Sequence, residues 1–305
     1  MKIKNIAIVG LGALGIMYAN HFSKKIGKEN VRIVVNENRK KKYEEEGIFA
    51  NRQKCSFYYV EENEKTEPAD LILFCVKGTS LQSGLETARN QIGPKTIIIS
   101  VLNGISSEEV LADAFGKENI IHCVSQGMDA VRVDNQLNYT RMGELRIGID
   151  QLSKQEQLEA VSRFFDQTEF PYTIEQDIQH RIWKKFMMNV GINQVLMVTE
   201  GSYGDVQKEG SSRELMIQAM QEVMPIAQAE GINLIEQDLQ DNLELLATLS
   251  PENMPSMRQD GMAKRYSEVE LFAGTVLAKA KIHKTEAPTN QFLYQKIKEI
   301  EAAYS

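Results

Sequence analysis

The segment Trp183-Lys-Lys-Phe-Met-Met-Asn-Val-Gly-Ile-Asn193 is mainly apolar, yet Lys185, Asn189 and Asn193 recur in it at intervals of four. At helical pitch that spacing lines all three along one face. Asparagine is a poor helix former, so two in one apolar helix need a reason. A lysine ammonium can polarise a carbonyl and then donate its proton. Asparagine side chains can fix hydroxyl or carboxylate oxygens without cancelling that charge. Lys184 falls instead with Met188, Gly191 and Val195, which reads as a solvent or snorkelling position. The spacing alone describes equally a polar stripe facing water or another domain.

A second set lies near the N-terminus. The apolar run Asn5-Ile-Ala-Ile-Val9 leads directly into Gly10-Leu11-Gly12-Ala13-Leu14-Gly15, and Ile16 to Phe22 continues as a helix. A strand, G-x-G-x-x-G and a helix in that order is the setting of a dinucleotide-binding turn. Gly10 would make the tight turn and Gly12 would let the backbone approach a pyrophosphate. Gly15 would allow close helix–strand packing, while free amides at the helix start hold the phosphates. A glycine-rich turn without a ligand is the bland alternative. Cofactor choice rests on Asn36-Glu37-Asn38-Arg39-Lys40, after the second strand. NAD enzymes commonly place an acidic residue there. Asn36 at that position, with Arg39 and Lys40 able to pair with a 2′-phosphate, favours NADPH. Glu37 argues the other way if the register is shifted by one, and Arg39 and Lys40 also fit an ordinary basic helix start.

These residues need elements to position them. Val31–Val35, Asp70–Val76, Thr96–Leu102 and Ile120–Val124 read as further strands. Apolar runs separated by helical segments point to a doubly wound parallel sheet, with ligands at the carboxyl ends of its strands. From about Asp177 the β-branched runs give way to helical segments: Ile182–Met197, Ser212–Ala229, Glu236–Leu246, Met257–Lys279 and Gln291–Ala303. The expected division is a Rossmann-type domain over residues 1–177 and an all-helical domain over 178–305. Ser256-Met-Arg-Gln259 fits a capping box opening a long helix. Glu268, on the same helix amid Lys264, Arg265 and Glu270, reads as surface charge.

With 305 residues, a prior of about 150 per domain also suggests two domains. Lys plus Arg total 35 against 42 Asp plus Glu, a net charge of −7, which argues against nucleic acid as a partner. The three cysteines are unpaired in spacing, the pattern of a cytoplasmic protein. No apolar run approaches the roughly 20 residues of a membrane span, and Ile6–Leu14 is too short and glycine-rich to read as an export signal. The four histidines are scattered without ligand spacing, so no metal site is expected. His122 reads as a core or rim residue.

The chain resembles the ketopantoate reductase (2-dehydropantoate 2-reductase) family over essentially its full length. The features that carry the resemblance are the Gly10–Gly15 motif, Cys75-Val-Lys77, Leu102-Asn103-Gly104, Trp183-Lys-Lys185, Asn189, Ile192-Asn193, Ser256-Met257 with Gln259-Asp260, and Glu268 followed by Gly274. The resemblance implies an N-terminal NADPH domain and a C-terminal helical domain like that of 6-phosphogluconate dehydrogenase. It implies Lys185 as the catalytic lysine and Glu268 as its acidic partner. Asn103 would lie near nicotinamide and substrate, Asn189, Asn193 and Ser256 would hold substrate oxygens, and Lys77 would line the site. The sequence departs from the family at Gln194, where proline is frequent, and at Ala273, where asparagine commonly precedes the glycine. It departs also at Asn36, often arginine, and in Gly201-Ser-Tyr-Gly-Asp205.

The implied activity is reduction of ketopantoate to pantoate, in pantothenate and coenzyme A biosynthesis, with Lys185 as proton donor. The alternatives are reduction of another 2-keto acid or an imine on the same scaffold, or a dinucleotide sensor without catalysis. A sensor has no need of Lys185 and Glu268 as a proton-donating pair. The long helices could support a homodimer.

Overall fold

Among the described residues, 1–304, the computed structural model has twelve strands. In chain order they are β1 (Ile6–Val9), β2 (Val31–Val35), β3 (Phe49–Ala50), β4 (Gln53–Lys54), β5 (Tyr58–Glu61) and β6 (Leu71–Phe74). They continue with β7 (Ile97–Ser100), β8 (Ile120–Gln126), β9 (Val131–Val133), β10 (Gln136–Asn138), β11 (Glu144–Gly148) and β12 (Tyr172–Ile174). The helices among them are α1 (Ala13–Ile26), α2 (Glu37–Glu46), α3 (Leu81–Ala88), α4 (Ser107–Phe115) and α5 (Gln155–Gln167). The chain divides into two units, residues 1–103 with 107–178, and residues 104–106 with 179–305.

In the first unit the strands β5-β2-β1-β6-β7-β8 run parallel in that order, with β11 antiparallel to β8 and β12 parallel to β11. The apolar runs explain the layering. Ile6 and Ile8 of β1, Leu71 and Leu73 of β6, and Ile97 and Ile99 of β7 belong to one core with α1 and α5. Their alternates Ala7, Val9, Ile72, Phe74 and Ile98 belong to another with α3 and α4. Side chains of a strand alternate between faces, so a strand apolar at every position must be covered on both. This is the doubly wound sheet expected from the sequence. A small sheet in the order β4-β3-β10-β9 was not expected. It joins two short hairpins, the first turning at Asn51 and Arg52 with φ of 48° and 67°.

The second unit is helical, as expected: α6 (Ile178–Val198), α7 (Tyr203–Gln207), α8 (Ser211–Gln221), α9 (Val223–Ala229), α10 (Glu236–Ala247), α11 (Ser256–Met262), α12 (Ala273–His283) and α13 (Pro288–Ala302). Two expected helices are broken. Ser212–Ala229 divides at Glu222, where Pro225 lacks the N–H that would bond back to the Gln221 carbonyl. Met257–Lys279 divides after Ala263. There Lys264 takes a left-handed conformation, φ 49°, and the Arg265 amide bonds back to the Asp260 carbonyl at 2.9 Å. That six-to-one bond is a Schellman stop, here without the usual glycine. The Arg265 side chain reinforces it by pairing with Asp260 at 2.8 Å.

Two helix starts in this unit, those of α12 and α13, are satisfied by side chains from elsewhere in it. Gln194 of α6, fully buried, accepts from the Ala273 amide at the start of α12 at 3.0 Å and donates to Asn290 of α13 at 3.1 Å. Glu222 accepts from the Thr289 and Asn290 amides at 2.7 and 2.9 Å, filling orphan donors at the start of α13. Lys264→Gly should raise stability by up to about 1 kcal/mol by relieving the left-handed penalty. Urea unfolding, with an unchanged m-value, checks it.

Candidate active site

The carboxyl ends of the parallel strands carry the residues singled out in the first unit. β1 runs into Gly10–Gly15, β2 into Asn36, β6 into Cys75-Val76-Lys77 and β7 into the segment bearing Asn103. Strand order reverses between β1 and β6, the switch point where α/β sheets take ligands. Gly10 has φ +95°, and a Cβ there would lie 2.8 Å from the Val76 nitrogen. A Cβ on Gly15 would lie 1.9 Å from the Gly10 carbonyl oxygen. The fold itself demands both glycines. Gly12 differs, because its φ of −69° suits any residue and a Cβ there would come no nearer than 3.5 Å to any neighbour. Its glycine is explained by a ligand that must approach the backbone closely. Gly12 is also the N-cap of α1 and gives no side-chain cap. The residues therefore fit a dinucleotide pyrophosphate held by the first-turn amides of α1, with Leu11, Ala13 and Leu14 supplying backbone.

At the end of β2, Asn36 caps α2 by accepting from the Arg39 amide at 2.9 Å. Its carbonyl oxygen is thus engaged, and the amide –NH2 is left to donate. Glu37, the acidic candidate, is exposed and held by Lys41 at 2.6 Å, which depresses its carboxyl pKa. Lys40 pairs with Glu61 at 2.9 Å, so of the two basic residues only the exposed Arg39 has no ion pair among the described residues.

Lys77 is exposed and opens a short turn at Gly78–Ser80, and Asn103 is half-buried. Behind Asn103 lies a buried chain of hydrogen bonds. Ser107 donates to the Glu108 carboxyl at 2.7 Å, the Ser107 and Ser100 hydroxyls meet at 2.8 Å, and the Leu102 amide donates to Ser100 at 3.3 Å. Burial, the largest influence, pushes the Glu108 pKa from an ordinary 4.5 up to about 7, against hydrogen bonds that pull it down.

In the second unit, helical spacing puts Lys185, Asn189 and Asn193 on one face of α6. Asn193 donates to Asn189 at 3.2 Å and accepts from the Met257 amide at 3.5 Å, joining this face to the start of α11, where Ser256 sits. The expected capping box is absent. Pro255 is the N-cap, Ser256 is the first helical residue, and Gln259 donates to the Met254 carbonyl instead. Lys184 is not a solvent or snorkelling residue either. It pairs with Asp238 at 3.1 Å and with Asp241, and Asp238 also holds His180 at 3.0 Å. Burial, the largest single influence, raises the Asp238 pKa, but the Ile235 amide, His180 and Lys184 together hold it below the usual carboxylate range. Glu268 lies off any long helix, half-buried in the turn between α11 and α12. That turn is anchored by Glu301, which accepts from the Ser267 amide at 2.7 Å and its hydroxyl at 2.5 Å.

Two groups have no counterpart in the sequence reading, Glu108 and Arg132. Glu108 looks like one of two ordinary acids in the first turn of a helix. Arg132 looks like the polar member of a short exposed strand, Val131-Arg-Val133, yet its guanidinium donates to the Leu11 carbonyl inside the glycine turn. Among the described residues no group of three or more His, Cys, Asp or Glu is placed to hold a metal ion, and no helix is long and apolar enough to cross a membrane.

A doubly wound domain with this glycine turn, followed by a helical domain, defines a Rossmann-type dinucleotide-binding protein. Comparison with known proteins narrows the class. Residues 6–151 match the family described as ketopantoate reductase PanE/ApbA, and residues 177–301 match the C-terminal part of the same family. The chain belongs to the ketopantoate reductase family. A 2-dehydropantoate 2-reductase of Vibrio cholerae is 24% identical over 78% of this chain and 79% of its own. Among solved structures, D-mandelate dehydrogenase with NADH and anilino(oxo)acetate matches with TM-score 0.88 at 20% identity, covering 98% of this chain and 99% of that one. Dimeric ketopantoate reductase from Staphylococcus aureus matches with TM-score 0.78 at 20% identity, covering 99% and 100%.

Gly12→Ala should leave thermal stability near wild type while weakening NADPH and NADH binding at least about tenfold. Gly15→Ala should instead cost about 3 kcal/mol or more of stability. Titration by fluorescence beside thermal melts separates the two. The Glu108 carboxyl binds its proton more tightly folded than unfolded, so its contribution to stability is complete below about pH 4.5. That contribution is lost as pH rises to about 7. Tm of wild type relative to Glu108→Gln should therefore fall across that window and be level on either side.

Proposed function

We propose that the protein reduces ketopantoate to pantoate with NADPH, as a cytoplasmic enzyme serving pantothenate and coenzyme A biosynthesis. The observation that carries the chemical reading is the division of labour between adjacent lysines. Lys184 is tied to Asp238 and Asp241 of α10, while Lys185 shares its helix face with Asn189 and Asn193.

Bound NADPH supplies the hydride. Reduction of a 2-keto acid builds negative charge on the carbonyl oxygen, so that oxygen needs positive charge and a proton. The Lys185 ammonium hydrogen-bonds the carbonyl and then protonates the alkoxide oxygen. Glu268 orients Lys185 or accepts from a substrate hydroxyl. Asn189, Asn193 and Ser256 fix the hydroxyl and carboxylate oxygens, and Asn103 positions the reacting carbonyl. Gly10–Gly15 hold the pyrophosphate, with Asn36 and Arg39 on the 2′-phosphate and Lys77 beside the dinucleotide. The preference for NADPH is supported by the free Asn36 amide donor, the exposed Arg39 and the engagement of Glu37 by Lys41. A homodimer is part of the proposal.

A second reading, reduction of a different 2-keto acid, is favoured by the likeness of fold to D-mandelate dehydrogenase. The test is oxidation of NADPH with ketopantoate, pyruvate and 2-ketoisovalerate in parallel, with NADH as control. Turnover confined to ketopantoate and NADPH is expected. Turnover confined to another keto acid selects the second reading. In Lys185→Ala, turnover should fall by about 10²–10⁴-fold while NADPH binding survives, and near-wild-type turnover would refute the assignment.

A further inference from the structure

The glycine turn that receives the pyrophosphate contains no charged side chain: Gly10-Leu-Gly-Ala-Leu-Gly15 offers backbone amides only. The first turn of α1 adds none, and its basic residues Lys24 and Lys25 lie in the last turn. A pyrophosphate carries two negative charges, and a charge-assisted hydrogen bond is about twice as strong as a neutral one. Arg132 brings a cation to this turn from outside the main sheet. It sits on β9 of the small sheet, half-buried, and its Nη1 donates to the carbonyl of Leu11, the residue before Gly12. Nε donates to the Asp134 carbonyl at 2.7 Å, which fixes the plane of the guanidinium. Both acceptors are neutral carbonyls. Among the described residues no carboxylate pairs with Arg132, and its Nη2 amino group makes no hydrogen bond.

A structural staple would be the ordinary role for such an arginine, but the small sheet is held together by its own backbone bonds and docked on the core by Leu137 without it. The Phe49 amide donates to the Asn135 carbonyl at 2.9 Å, and the Asn51 amide to the Leu137 carbonyl at 2.8 Å. Asn135 bonds the Glu46 and Gly47 carbonyls at 3.1 and 3.2 Å, and Leu137 is fully buried in the core shared with α1. With its charge unneutralised and one amino group uncommitted, the guanidinium is free to engage an anion on the turn.

We propose that Arg132 is a cofactor-binding residue that donates to the pyrophosphate of the dinucleotide, so that the small sheet β4-β3-β10-β9 is a second, charged wall of the phosphate site. The proposal rests on the dinucleotide reading given above. It separates two arginines by the phosphate they serve: Arg132 acts on the pyrophosphate common to NADH and NADPH, Arg39 on the 2′-phosphate of NADPH alone.

The experiment is calorimetric or fluorescence titration of the apo protein with NADPH, NADH and ADP, in wild type, Arg132→Gln, Arg132→Lys and Arg39→Gln, with apo Tm recorded for each. Arg132→Gln should weaken all three ligands by a similar factor of about ten or more. Arg132→Lys should recover part of the loss, and apo Tm should change little. Arg39→Gln should weaken NADPH and spare NADH and ADP. Wild-type affinity in Arg132→Gln overturns the proposal. So does a loss confined to NADPH, which would move the contact to the 2′-phosphate. A variant that melts several degrees lower without ligand, or does not fold, also overturns it by making Arg132 a staple. If wild type binds neither dinucleotide, the dinucleotide reading fails with it, an outcome distinct from the failure of Arg132 alone.

Discussion

The first unit depends on one close approach, the backbone of Gly15 against the carbonyl of Gly10. Nothing larger than hydrogen fits between them, so the first turn of α1 is pressed onto the end of β1. Gly10 is pressed in turn against Cys75 and Val76 at the end of β6. The point at which β1, α1 and β6 converge leaves no room for a Cβ at either glycine. The amides of α1 are aimed by that convergence, with the Arg132 guanidinium on the Leu11 carbonyl as a side-chain contact to the turn. Burial on both faces of the sheet supplies the stability, but this contact supplies the geometry. A strand end that could drift would spread its neighbours, Asn36, Lys77 and the Asn103 segment, out of register with the turn.

The second unit solves the same problem of helix starts in the opposite way. Gln194 of α6 takes the first amide of α12, and Glu222, at the junction of α8 and α9, takes those of α13. Asp238 takes the Ile235 amide at 3.0 Å while also binding His180 and Lys184, so one carboxylate both closes α10 and ties it to α6. These caps tie the starts of α10, α12 and α13 into the bundle, whereas Gly12 gives the start of α1 no side-chain cap.

Much of this was legible in the chain. The central strands declared themselves as apolar runs because both faces of the sheet are covered. The glycine turn declared itself by its place between strand and helix. The small sheet did not, because its strands span two or three residues and the first hairpin turns at Asn51-Arg52, with an arginine in a conformation that sequence reasoning reserves for glycine. The break between α11 and α12 was hidden for the same reason, at Lys264. Lys184 was misread because its partners, Asp238 and Asp241, stand more than fifty residues away, and no local spacing reports such a pair. Glu268 could be singled out only through family resemblance, since on periodicity alone it belonged to a helix that the chain does not form.

Gln194 and Ala273 each depart from the residue frequent at their position in the family. As isolated differences they invite an explanation in terms of what the enzyme recognises. The structure joins them by a single hydrogen bond, from the backbone amide of one to the side chain of the other, in a fully buried place. Replacing Gln194 by proline with the rest unchanged would leave that amide and the side-chain Oδ1 of Asn290 both without these partners in a buried place. Gln194 therefore has a structural use: its side chain closes the start of α12 and ties α6 to both α12 and α13. Because the donor is the backbone amide of Ala273, which any residue but proline would supply, the bond accounts for the glutamine and leaves the alanine without a structural explanation.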